Sequence, residues 1–117
     1  MQTVCLARVA EMAEHQLCAI EDLADGGGRP FSAGGMKLAL FRIGDEVFCV
    51  ENICPHNGAA LHDGILDKKD KNILCRWHYI AYDLESGGCV GNPKSRVANF
   101  PVEIRDGDVF VRLEDEA

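Results

Sequence analysis

No apolar run in this chain approaches the ~18 residues of a membrane span, and the N-terminus does not pair a basic region with an apolar stretch. The expectation is a cytoplasmic protein with no membrane partner. Basic charge is also scarce. Lys and Arg number 12 against 19 Asp and Glu, a net charge of −7. The basic patches that nucleic-acid phosphates demand are therefore not expected. The chain has no Ser-His-Asp set, no phosphate-cradling loop and no nucleotide-binding fingerprint. It lacks internal repeats and any linker that would divide its 117 residues, which reads as one domain.

What is present is concentrated in two short clusters, Cys54-Pro55-His56 and Cys75-Arg76-Trp77-His78. Each offers one thiolate and one imidazole, in the same order. A [2Fe–2S] centre in which two thiolates hold one iron and two imidazoles the other needs that composition. Each cluster would then send its Cys to one iron and its His to the other. A tetrahedral zinc site can also be built from two Cys and two His. The usual zinc patterns, however, pair two cysteines and then two histidines. Interleaved ligands with one intervening residue are tight for a single tetrahedral ion.

The residues around both clusters resemble the Rieske family. Cys54-Pro55-His56-Asn57-Gly58-Ala59-Ala60-Leu61-His62-Asp63-Gly64 is similar to the first Rieske box and the turn after it. Cys75-Arg76-Trp77-His78, followed by Tyr82-Asp83 and Ser86-Gly87, is similar to the second. Asn92-Pro93 resembles the proline-containing loop that closes over the cluster, and residues 100–111 resemble the closing hairpin of small Rieske ferredoxins. The likeness covers residues 16–113. It implies an all-β fold, a Rieske-type antiparallel sandwich or barrel with a small cluster-binding subdomain. In that reading residues 1–15 are an N-terminal extension and residues 16–117 the [2Fe–2S] domain. The cluster-binding loops lie at 54–62 and 75–82.

By the same resemblance Cys54, His56, Cys75 and His78 are the metal and cofactor ligands, with Trp77, Tyr82 and Pro93 around them. Where the family usually has Gly after the second ligand His, this chain has Tyr79. A bulky residue does not take a positive φ cheaply, so the turn there must be of a kind that tolerates it. High-potential relatives brace their loops with a disulfide, using positions that here hold Ala59 and Trp77. They also place a hydroxyl where this chain has Ile80. Hydrogen bonds to cluster sulfurs stabilise the reduced, more negative state, so losing one points to the low end of the Rieske range, about −150 mV. Tyr82 keeps one donor available.

Six cysteines would suggest disulfides in a secreted chain. Two are assigned to the cluster, and Cys5, Cys18, Cys49 and Cys89 are expected as free thiols. Cys49, in Val47-Phe48-Cys49-Val50, reads as a small buried hydrophobe. His62 follows the first box but matches no ligand position, which leaves it near the surface or beside the site. The Asp63, Asp67 and Asp70 carboxylates with Lys68, Lys69 and Lys71 read as a solvated mixed-charge turn.

Local patterning is nearly all β. Residues 37–43 and 46–50 flank Gly44-Asp45 as a hairpin. Val102 and Ile104 alternate with Glu103 and Arg105, and Asp106-Gly107 turns into a last strand over 108–113. Asp25 to Pro30 reads as a flexible loop following a short turn at 21–23. Over residues 1–15, Ala and Glu favour a short helix, with an edge strand as the alternative.

The function implied by the resemblance is single-electron shuttling without bond chemistry at this chain. His56 and His78 would form the electron exit at the tip. A flavin reductase would donate electrons and an oxygenase would accept them. A Rieske small subunit docked on the large subunit of an assimilatory nitrite reductase is an alternative, as is a redox-silent zinc-binding interaction module. A catalytic oxygenase is rejected, because only His15 and His62 are spare for the two-His-one-carboxylate iron site that it needs. The acidic balance suits a partner with a basic docking surface.

Overall fold

The computed structural model describes residues 12–54, 60–75, 80–90 and 92–114. In chain order these form β1 (Met12–Ala19), β2 (Gly28–Ala33), β3 (Met36–Ile43), β4 (Glu46–Glu51), β5 (Ile65–Asp67) and β6 (Asn72–Leu74). There follow β7 (Ala81–Asp83), β8 (Gly88–Cys89), β9 (Asn92–Arg96), β10 (Asn99–Phe100), β11 (Val102–Arg105) and β12 (Asp108–Glu114). Short 3-10 turns lie at Ile20–Asp22 and Leu61–Asp63. All pairings are antiparallel and give three sheets, ordered β1-β12-β11, β10-β4-β3-β2 and β5-β6-β7-β8-β9.

The four-stranded sheet lies between the other two. Leu38, Leu40, Val47 and Cys49 from one of its faces join Val109, Val111 and Leu113 of β12 in one core. Ala39, Phe41 and Val50 from the other face join Ile73, Tyr82, Leu84 and Val97 in a second. Successive side chains of a strand point to opposite faces. Because both faces of β3 are covered, Leu38-Ala39-Leu40-Phe41 is an unbroken apolar run in which no residue is more than 1% exposed. The all-β reading holds, and the second core carries the smaller five-stranded layer.

Turn chemistry follows the sequence closely. Gly44 has φ +61° between β3 and β4. Between β11 and β12, Asp106 and Gly107 have φ +51° and +81°. Positive φ at both central residues matches the right-handed twist of the strands they join. The mixed-charge turn is also present. Asp67 Oδ1 accepts the Lys69 and Asp70 backbone N–H groups, and Lys68 and Lys71 pair with Asp25 and Glu46.

Three local expectations differ from the structure. Residues 12–15, read as helix with an edge strand as the alternative, take the alternative and lie in β1, which crosses the boundary set at residues 15 and 16. Met12 to Ala19 pair along β12 as an edge strand, with an irregularity between Gln16 and Cys18. A ladder along the last strand outweighs the weak helix propensity of Ala and Glu. Residues 1–11 lie outside the described residues. Gly28, Arg29 and Pro30, read as loop, open β2. Pro30 is tolerated there because β2 edges its sheet and one flank needs no donor. Asn92 and Pro93, read as a loop, open β9, which is likewise an edge strand.

Of the thiols expected to be free, Cys18, Cys49 and Cys89 are free and Cys5 lies outside the described residues. Cys49 on β4 is buried at 1% exposure. Burial pushes its thiol up from 9.0 to about 12. The unfolded chain ionises this thiol first, so above the unfolded value the folded state holds one proton more. Stability conferred by Cys49 is complete below that value and falls as pH rises, by up to ~1.4 kcal/mol per pH unit. Urea unfolding free energies should decline between pH 9.0 and about 12, and decline less steeply in Cys49→Ala. Equal slopes in the two proteins would remove Cys49 as the cause.

Candidate metal centre

Two of the four expected ligands fall among the described residues, and both are buried. Cys54 lies just beyond β4 and Cys75 directly follows β6. Each is 1% exposed, and the two belong to one core with Leu61, Ile73, Tyr82, Leu84 and Val97. His56, His78 and Trp77 lie outside the described residues. Pro93 is placed on β9 by its backbone.

Ladder geometry brings the two cysteine loops together. The Cys75 N–H donates to the Ile80 carbonyl at 2.8 Å, closing the base of the second loop. The end of the first loop runs along β6. Ile65 of β5 pairs with Leu74, and a Cβ on Gly64 would lie 2.4 Å from the Leu74 carbonyl oxygen. A side chain at residue 64 would force apart the backbone segments that lead out of the first loop and into Cys75. That close approach is the physical reason for glycine there.

Tyr82 on β7 pairs with Ile73 on β6 and is fully buried. Its hydroxyl lies 3.8 Å from Cys54 Sγ. A thiolate has no proton to give, so once Cys54 is ionised the hydroxyl is the donor. Thus two thiols converge in one dry core with a hydroxyl beside one of them. That donor set fits a [2Fe–2S] centre, which needs thiolates on one iron and hydrogen-bond donors toward its sulfurs.

His62 is engaged elsewhere. Its backbone N–H donates to Asn52 Oδ1 at 2.8 Å, and its Nδ1 lies 2.8 Å from Asn52 Nδ2. Its Nε2 is 3.3 Å from Asp63 Oδ1. Among the described residues no group of three or more His, Cys, Asp or Glu side chains is placed to hold an ion. His62 is therefore not a third ligand beside the two thiols. The sequence reading passed over Asn52, and it took Gly64 only as part of the turn after the first box. An Asn two residues before a motif cysteine looks like any polar loop residue, and its burial arises only from tertiary packing.

Comparison with known proteins places the chain. The family model of the Rieske [2Fe-2S] domain matches residues 13–101. Fold, buried thiols and this match agree, and the chain belongs to the Rieske [2Fe–2S] domain family. It is 33% identical over 106 residues to the anthranilate 1,2-dioxygenase ferredoxin subunit of Burkholderia cepacia, covering 89% of this chain and 96% of that one. A solved complex of reduced oxygenase and oxidized ferredoxin in carbazole 1,9a-dioxygenase contains a chain 30% identical, with TM-score 0.77. That match covers 89% of this chain and 96% of the other. A structure assigned as the small subunit of an NADH-dependent nitrite reductase from Mycobacterium tuberculosis is 26% identical, with TM-score 0.80. It covers 86% of this chain and 95% of its own. The cofactor of the family is a Rieske-type [2Fe–2S] cluster.

Tyr82→Phe keeps the ring in the core and removes only the hydroxyl. A hydrogen bond worth ~1 kcal/mol more to the reduced state corresponds to ~40 mV for one electron. The reduction potential of the cluster-loaded variant should therefore fall by a few tens of millivolts, as read by spectroelectrochemical titration. An unchanged potential would show that the hydroxyl makes no such bond.

Proposed function

We propose that this chain is a cytoplasmic single-electron carrier of a multicomponent oxygenase system, taking electrons from a flavin reductase and passing them to an oxygenase. The observation that carries the reading is the meeting of Cys54 and Cys75, both buried, in one core beside the Tyr82 hydroxyl. In this reading Cys54, His56, Cys75 and His78 hold the cluster, while Trp77, Tyr82 and Pro93 surround it. When bound, the cluster supplies reversible uptake of one electron.

The chain's own residues bind, orient and exclude water. Leu61, Ile73, Leu84 and Val97, each no more than 2% exposed, wall the cysteine side of the site. A dry wall strengthens each hydrogen bond to a thiolate, because little water competes for it. In this reading His56 and His78 would face the partner. The chain supplies no reacting group of its own, in keeping with relatives that are ferredoxin subunits of dioxygenase systems. The net charge of −7 favours encounter with a basic docking surface, in a salt-dependent way.

Among the described residues no helix is long and apolar enough to cross a membrane. Residues 16–117 are proposed as the domain that carries the site, with the N-terminal end of β1 completing the three-stranded sheet. A second reading, the small subunit of a nitrite reductase docked on its large subunit, is favoured by the likeness in fold to the Mycobacterium tuberculosis chain.

The purified protein should be red-brown, silent in EPR when oxidised, and give a rhombic signal with average g below 2 after dithionite. A colourless protein with stoichiometric zinc would overturn the carrier in favour of a binding module. Purification from the native cell as a stable complex with a nitrite reductase large subunit would favour the nitrite reductase reading over the diffusing carrier.

A further inference from the structure

Among the described residues Asn52 is the one buried side-chain amide, 7% exposed. A buried amide destabilises the fold unless its hydrogen bonds are made. Asn52 makes them to one residue, His62, and the two flank the segment that contains Cys54 and His56. Both ends of this contact are anchored to the base sheet. The Asn52 N–H donates to the Lys37 carbonyl at 2.8 Å, and the Glu51 N–H donates to the Ala98 carbonyl at 2.8 Å. On the other side, Leu61 is fully buried, and the His62 carbonyl oxygen sits where a Cβ on Gly28 would be 3.4 Å away.

The pair has one consistent hydrogen-bonding pattern. A backbone N–H can only donate, so the Asn52 atom facing His62 N must be the amide oxygen. The amide nitrogen is then fixed against His62 Nδ1 at 2.8 Å, and that ring nitrogen must accept. The ring proton resides on Nε2, which lies 3.3 Å from Asp63 Oδ1. Backbone geometry thus sets the amide, the amide sets the imidazole tautomer, and the protonated Nε2 faces the Asp63 carboxylate at 3.3 Å.

We propose that Asn52 and His62 are positioning residues, a two-bond clamp across the ends of the first ligand loop that holds Cys54 in place for the cluster. The proposal rests on Cys54 being a cluster ligand. With both ends of the loop fixed, Cys54 keeps its place beside Tyr82 and Cys75 while its neighbours change charge. Outer residues that orient ligands in this way govern metal retention.

The test measures loss of visible cluster absorption from the cluster-loaded protein in excess EDTA, together with the EPR g-values of the reduced state. Asn52→Ala removes both bonds and should speed cluster loss by about 10- to 100-fold. His62→Ala leaves the backbone bond and should have a smaller effect. His62→Asn places an amide oxygen where Nδ1 was, and should restore the wild-type rate and g-values. The Asn52→Ala/His62→Ala double variant should lose its cluster no faster than Asn52→Ala alone. Val111→Ala, in the opposite core, serves as a control with general destabilisation and should keep the wild-type rate well below its Tm. Loss from Asn52→Ala no faster than from Val111→Ala would overturn the clamp. So would His62→Asn behaving as His62→Ala, a comparison that stands even if Asn52→Ala does not fold. A wild-type protein without a [2Fe–2S] cluster would overturn the clamp and the electron-carrier reading together. A wild-type cluster with indifferent variants would overturn the clamp alone.

Discussion

Leu38-Ala39-Leu40-Phe41 is closed to water on both faces of β3, and the rest of the molecule depends on keeping it so. Removing such side chains from water is worth ~1.5–3 kcal/mol for each large one. The gain requires a cover on each side. The three-stranded sheet covers Leu38 and Leu40, while the five-stranded sheet, with Leu61, Leu84 and Val97, covers Ala39 and Phe41. The second cover is also the site. Cys54 and Cys75 are members of the core that closes over Phe41, so the force that folds the small sheet brings the two thiols together.

Coupling the site to a core has a functional consequence. A carrier works best when its ligands barely move as the charge changes, and side chains in a close-packed interior have little room to move. Here the thiols are embedded in apolar side chains, one loop is closed by the Cys75 to Ile80 backbone bond, and Gly64 lets the other approach β6. The Tyr82 hydroxyl lies 3.8 Å from Cys54 Sγ.

Much of this was legible in the residues. The interleaved Cys and His clusters named the chemistry, because few metal centres use two thiolates and two imidazoles in that order. Strand alternation and the Gly44-Asp45 and Asp106-Gly107 turns gave both base hairpins, since those signals are local. The missed features are tertiary. Pro30 and Pro93 look like loop residues until their strands are known to lie at sheet edges. Met12 to His15 favour a helix until β12 offers them a ladder. Nothing in the sequence marks Asn52 as buried or pairs it with His62. Both facts depend on where the first ligand loop leaves and rejoins the base.

The central claim is that two thiolates from one core and two imidazoles hold a single [2Fe–2S] cluster in this chain. Pulsed EPR on the dithionite-reduced protein, made with 15N-labelled histidine, tests it most directly. The account predicts strong hyperfine coupling to two directly bound histidine nitrogens, with one lost in His56→Ala and the other in His78→Ala where those variants retain iron. A cluster with no coordinated nitrogen, or a protein that binds zinc and gives no signal, would contradict it.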